Sequence, residues 1–332
     1  METEHIKCNL CGRDDYNLLF KSRDKILSIG PEFNLVRCKN CGFVYVNPRP
    51  TPNSLQEFYP AQYFARPFGS IKMTEGYKAF LSGVFRNRYA QIQRFKRKGA
   101  ALEIGCGDGY FLRFLKDKGW QAYGIEPSDF AAKYARDELN LTVFKGKLED
   151  FPLPAQPFDM ICMFEVFEHI IDPYQALLKI REMLSPDGII VITVPNFASF
   201  LSILFRDNWH ILDIPRHLFH FTAKTIAKML QKSGLRALSI KTNSAINHLS
   251  PTVGISESLR YWLRSHKLYP SQDKCRARLL LEHKARNLVC GREHVIKAIF
   301  HRLESILFYP LAYFLDKAGR GENLYIVAGK AR

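Results

Sequence analysis

The sequence predicts an α/β fold: a largely parallel sheet wrapped by helices on both faces. Three observations carry this. Between residues 100 and 242, short apolar runs alternate with segments of helical period. The first of these runs feeds directly into a glycine turn, Ile104-Gly105-Cys106-Gly107-Asp108-Gly109, which opens a helix. A hydrophobic content of 47% over 332 residues, with 13% aromatics, supplies a large core and excludes disorder as the dominant state.

The elements follow in order. Residues 1–48 hold two short knuckles, Cys8-x2-Cys11 and Cys38-x2-Cys41, each followed by a glycine (Gly12, Gly42). That is ligand spacing for a structural zinc site, and four thiolates leave no open position for catalysis. A disulfide pair is the alternative. With 8 cysteines in the whole chain a disulfide scaffold is excluded, and a reducing cytoplasm is the expected setting. Residues 49–99 begin in a proline-rich join, Asn47-Pro48-Arg49-Pro50-Thr51-Pro52, which cannot be helix interior. A basic helix is predicted over 76–98.

Residues 100–332 form the main domain. Strands are expected at 101–104, 121–125, 142–145, 158–164, 188–194, 235–241 and 323–330, with helices at 109–118, 128–138, 172–184 and 222–233. A helical insertion, 243–322, precedes the last strand. No apolar run reaches the ~20 residues that a membrane-spanning helix needs, and the N-terminal METEHIKCNLCG lacks the h-region of a signal peptide. The net charge of +16 is uneven: residues 61–99 and 250–332 carry +8 each, and the middle is neutral. Such flanks suit an acidic partner such as phosphate, nucleic acid or an anionic membrane, or simply make a basic surface.

The glycine turn discriminates between cofactors. A dinucleotide fingerprint, G-x-G-x-x-G, needs glycine at position 110, which is Tyr110. A pyrophosphate also wants helix N–H groups without a crowd of carboxylates. Here Glu103, Asp108, Glu126 and Glu165 all fall at or beside predicted strand ends. Four acids suit a cationic ligand, and S-adenosylmethionine (SAM) carries a sulfonium and an ammonium. Glu126 ends the second strand, where an acid can take both ribose hydroxyls.

On LEIGCGDG (102–109), GIEPS (124–128), GKLEDFPLPAQPFD (146–159) and EVFEHIIDP (165–173), residues 100–242 resemble the class I SAM-dependent methyltransferases. The resemblance implies a Rossmann-like, seven-stranded sheet whose last strand, NLYIVAGK, runs antiparallel. It also implies that Gly105, Gly107 and Gly109 pass under the methionine part of SAM, that Glu126 holds the ribose, and that Lys147-Leu148-Glu149 brackets the adenine. Lys147 departs from the acid frequently found there, which shifts that recognition onto Leu148 and Glu149. Phe164 and Glu165 would border the methyl donor. CxxCG…RCKNCGFVYVNPRP resembles ribbon-like N-terminal segments of some bacterial methyltransferases, sugar methyltransferases among them. Its implied role is structural, or presentation of substrate.

Methyl transfer to oxygen needs an aligned acceptor and usually a base. Histidine is the natural candidate. Glu168 and His169 follow the fourth strand, and His210, His217 and His220 follow the fifth, outside the carboxyl ends of the strands where open α/β sheets bind ligands. His217 is the expected general base or acceptor-orienting group, with His169 beside it and Arg216 available for an anionic substrate group. Trp209 and Asp213 would shape the pocket. A structural role for His169 and His220 is the competing reading.

The expected activity is therefore SAM-dependent methylation of a small-molecule acceptor, with a sugar or a nucleotide- or lipid-linked saccharide favoured. The alternatives are an RNA methyltransferase using the basic flanks, or a non-catalytic zinc-ribbon binding protein. Nucleic acid is the weaker partner: no aromatic-interleaved RNA motif is visible, and EVFEHIIDP lacks the N/D-P-P-Y/F type of motif. The apolar stretch 294–315, with helical period at its start and Pro310 within it, is read as a helical cap or dimer contact, or as a peripheral membrane contact.

Overall fold

A computed structural model of the chain describes residues 1–60, 75–242, 251–266, 268 and 310–331. The N-terminal unit contains β1 (Thr3–Glu4), β2 (Tyr16–Ser22), β3 (Phe33–Cys38), β4 (Val44–Val46) and β5 (Arg49–Pro50), then a single helical turn, α1 (Pro52–Leu55). Helix α2 (Glu75–Ile92) leads into the main sheet. It stops short of the predicted residue 98 because Phe95 and Lys96 turn back onto the Ile92 carbonyl, and Gly99 then enters the first sheet strand at φ +136°.

Strands and helices then alternate as the periodicity predicts: β6 (Ala100–Ile104), α3 (Tyr110–Asp117), β7 (Gln121–Glu126), α4 (Asp129–Asp137), β8 (Thr142–Lys145), β9 (Phe158–Phe164), α5 (Pro173–Met183) and β10 (Leu184–Pro195). There follow α6 (Phe200–Phe205), β11 (Phe219–His220), α7 (Ala223–Lys232), β12 (Leu235–Thr242), α8 (Pro251–Ser265) and β13 (Asn323–Lys330). The helix starts are set by side-chain caps: Ser128 accepts from Ala131 N, Asp172 from Gln175 N, and Thr222 from Thr225 N. Each helix then buries one stripe, as α3 does with Phe111, Leu112 and Leu115.

The main sheet has seven strands in the order β12-β13-β10-β9-β6-β7-β8. All described pairings are parallel except those of β13, which runs antiparallel to both β10 and β12. The Rossmann-like seven-stranded sheet expected from the resemblance is thus present. Its order places β6 and β9 side by side at the centre, so the glycine turn after β6 and the acidic segment after β9 emerge together at one edge.

The N-terminal unit does not stand apart. Its sheet has the order β11-β4-β3-β2, so a strand from the main domain completes it. Phe219 pairs with Tyr45 and His220 with Val44. Phe43 stacks on Phe219 at 5.6 Å and packs on Phe221 at 5.3 Å. Cys8, Leu10, Val36 and Tyr45 share one continuous buried cluster with Ile161, Ile190 and Ile226 of the main domain. Of the predicted insertion, residues 243–250, 267 and 269–309 lie outside the described residues, as does most of the 294–315 stretch. Among the described residues no helix is long and apolar enough to cross a membrane.

Candidate active site

The glycine turn is built as its sequence requires. Gly105, Gly107 and Gly109 lie at φ +70°, +53° and +81°, conformations that a side chain strains. A Cβ on Gly105 would run into Val166 and one on Gly109 into Leu141, whereas one on Gly107 would meet nothing within 4 Å. Gly107 is therefore the point where backbone faces open space. The Glu126 carboxylate accepts from Gly107 N and from Ser128 N, both at 2.8 Å, which fixes it against the turn. Burial raises its pKa against those two bonds. Glu103 is 4% exposed, and burial pushes it up to about 8 although Arg88 works to lower it. Leu148 is buried in a short 3-10 turn while Glu149 is exposed. Phe164 is buried at the end of β9. Glu165 follows at φ +58°, a strained position for a side-chain residue, with its N–H on Thr193 O at 3.1 Å.

Three of the sequence-predicted acceptor residues converge. The turn Phe167–His169 sets Glu168 and His169 beside the 213–220 segment, and Val166 just before it is the residue packed under Gly105. His169 and His217 meet edge to face with ring centroids 4.6 Å apart. His217 Nε2 lies 3.9 Å from Glu168 Oε1 and 4.0 Å from Asp213 Oδ2. Leu218 N donates to Glu168 O at 3.0 Å, and Val46 N to Leu218 O at 3.0 Å, lacing the cluster to β4. His217 is 6% exposed, and burial, then His169, hold its pKa well below the ordinary imidazole value. Burial, then the neighbouring Glu165, raise Glu168 well above the carboxylate range. His220 stands further off, 6.4 Å from His217 between ring centroids, and burial lowers it to about 3.

Arg216 has a different place from the one expected. It is wholly buried, and its guanidinium binds Asp213 (Nε to Oδ1, 2.9 Å), Asp24 of the N-terminal unit, and the Phe58 carbonyl at 3.0 Å. Burial alone would lower its pKa, but Asp213 and Asp24 together raise it. With those partners it cannot receive a substrate anion. It fixes Asp213 and the His217 segment instead. Trp209 is likewise a core residue, with Nε1 on Glu322 at 3.4 Å.

Three participants had escaped the sequence reading. Arg88 of α2 is 4% exposed, its guanidinium lies 4.1 Å from the Phe164 ring centroid, and Glu103 and Glu165 act on its charge. Its signal was present: it occupies a core position of the stripe Leu81, Val84, Arg88, Ile92. Tyr59 places its hydroxyl 3.0 Å from His169 Nδ1, and Asp24 anchors Arg216. Neither has a local signal.

The four N-terminal cysteines converge, with their sulfur atoms within 4.8 Å of one another. Cys8–Cys41 and Cys11–Cys38 Sγ atoms are 3.5 Å apart. That is far beyond a disulfide of about 2.05 Å. It is near the ~3.8 Å edge of a tetrahedron with Zn–S bonds of ~2.3 Å. Gly12 and Gly42 close the knuckles at φ +74° and +76°, each donating back to the first cysteine of its pair. These residues fit a zinc ion.

The family model described as a methyltransferase domain matches residues 77–240. An uncharacterised methyltransferase of Geobacillus kaustophilus is 28% identical over 197 residues, covering 53% of this chain and 87% of that protein. Another, of Alkaliphilus oremlandii, is 35% identical over 107 residues, 31% of this chain and 49% of that one. The chain thus spans most of the first relative's length and about half of the second's. Among solved structures, the magnesium protoporphyrin IX methyltransferase of Synechocystis, with S-adenosylhomocysteine bound, superposes with a TM-score of 0.45 at 13% identity, over 58% of this chain and 93% of that one. With the glycine turn, the strand order and the family match in agreement, residues 77–240 are a methyltransferase domain built on the class I SAM-dependent plan.

Proposed function

We propose that this methyltransferase acts on a hydroxyl of a small-molecule acceptor, with a sugar or a nucleotide- or lipid-linked saccharide as the substrate class. The observation that carries the reading is the continuity of the site: Val166 packs under Gly105 of the cofactor turn, and Glu168, His169 and His217 follow at the same sheet edge. Bound SAM supplies the methyl group on a sulfonium. The acceptor oxygen loses its proton, forms the new O–C bond in line with the breaking C–S bond, and the electron pair stays on sulfur. His217, with Glu168 Oε1 3.9 Å from its Nε2, acts on the acceptor as general base or as its orienting group. The basic flanks of the chain suit a phosphate-bearing substrate. The test is incubation with SAM and a panel of nucleotide sugars, following S-adenosylhomocysteine release and the mass of one added CH2. A panel without turnover, extended to lipid-linked saccharides with the same result, removes the saccharide class.

Glu126 supports the cofactor half. Two hydrogen bonds from ribose hydroxyls to one carboxylate contribute about 1.5–3 kcal/mol each. Glu126→Ala is therefore expected to weaken S-adenosylhomocysteine binding at least about 150-fold by calorimetry. An affinity within about threefold of wild type would take Glu126 out of ribose recognition.

The zinc ion belongs to the same proposal as a structural group held by Cys8, Cys11, Cys38 and Cys41. Elemental analysis is expected to give about one zinc per chain. Chelation is expected to lower the melting temperature, because β4 of that unit carries the β11 segment. A metal-free chain with an unchanged melting curve would contradict it.

A further inference from the structure

The Glu168, His169, His217 cluster also has the geometry of a coordination sphere, and we propose that it binds a divalent cation that holds the acceptor oxygen. This rests on the reading of the cluster as the acceptor end of the site. His217 Nε2 faces two different carboxylate oxygens, Glu168 Oε1 at 3.9 Å and Asp213 Oδ2 at 4.0 Å. Both distances are too long for hydrogen bonds. The Glu168 separation suits two ligands facing each other across one ion with bonds of about 2.0–2.2 Å. One ligand atom from each of Glu168, His169 and His217 lies within 4.8 Å of the others. Glu168 is 1% exposed, and the side chain beside its carboxylate oxygens is a second acid, Glu165, with no cation or side-chain amide on them among the described residues. A buried carboxylate left in that state is costly unless a proton or a cation meets it.

The surroundings are those of metal ligands. His169 Nδ1 is engaged by Arg216 O and Tyr59 Oη, each at 3.0 Å, which turns its Nε2 to the other side of the ring. Asp213 is held through its other oxygen by Arg216. Glu168, His169 and His217 offer one carboxylate and two imidazoles to one divalent ion, with the Asp213 carboxylate 4.0 Å from His217 Nε2 beside them. Their nitrogen and oxygen atoms select a first-row metal such as Mn²⁺, whereas the four thiolates of the N-terminal unit select zinc. With such an ion held there, His217 would serve as the acceptor-orienting group through the metal rather than as the base, and the ion would supply Lewis-acid activation of the acceptor hydroxyl, whose proton would pass to water.

The probe is Mn²⁺ alone, added to the full-length, zinc-loaded chain, with loss of the free-ion electron paramagnetic resonance signal as the readout. About one Mn²⁺ per chain is expected to bind, and Glu168→Gln and His217→Ala are each expected to weaken it at least about tenfold. Glu168→Gln keeps the side-chain shape, so it separates lost coordination from a lost fold. Absence of binding to the wild type overturns the proposal, as does binding that both variants leave unchanged. S-adenosylhomocysteine titration of the same samples keeps the two readings apart. Loss of that binding in the wild type sinks the transfer reading, while loss of Mn²⁺ binding alone sinks only the cation site.

Discussion

Arg216→Met is expected to lower the unfolding free energy by about 3–5 kcal/mol, read from urea denaturation monitored by tryptophan fluorescence. The size comes from what the substitution leaves behind. Asp24 and Asp213 both bind this guanidinium, and the side chains of Arg216 and Asp24 are fully buried. Methionine fills much of the volume but strands two carboxylates, one of them on the N-terminal unit. A surface ion pair such as Arg23–Glu32, with side chains 64% and 48% exposed, is worth about 0–1 kcal/mol by comparison. A loss below about 1 kcal/mol would mean that the buried triad does not tie the two units together.

His217→Ala is expected to lower kcat by about 100- to 10,000-fold on the acceptor identified by the nucleotide-sugar screen. S-adenosylhomocysteine affinity is expected to stay near the wild-type value, since His217 touches the 213–220 segment and Glu168 rather than the glycine turn. The split between the two readings matters. A fall in both would indicate a collapsed segment, and unchanged turnover would remove His217 from the chemistry.

What the sequence made legible was what is encoded locally. The glycine turn needs three residues at positive φ within five positions, and the chain supplies glycine at each. The cysteine knuckles are two short motifs, and the sheet alternation follows from runs of a few residues. The helices expected from 128, 172 and 222 start within a residue of those positions, where Ser128, Asp172 and Thr222 cap them. The pairing of β11 with β4 was not legible, because two residues carry no strand signal and the partner is far away in the chain. The same holds for Asp24 with Arg216, 192 residues apart, and for Tyr59 with His169, 110 apart. Arg216 illustrates the cost. Beside a histidine in a polar-looking segment it read as an anion receptor, and only its distant partners show that its charge is already used. Arg88 is the converse: its position in an apolar stripe was readable, but its charge argued for the solvent face.

These long-range ties bear on the zinc unit. Its β4 pairs with the strand that carries His220, and Tyr59 just beyond it reaches His169. The N-terminal unit thus packs against the proposed acceptor site, and through the position of the 213–220 segment it would act on the proposed reaction.

The central claim is that the turn Gly105–Gly109 with Glu126 is a SAM site and not a dinucleotide site. Calorimetric titration of the full-length chain with S-adenosylhomocysteine, and in parallel with NADH, tests it most directly. Micromolar binding of the first with no heat from the second is the predicted result. NADH binding, or no binding of S-adenosylhomocysteine, would contradict it.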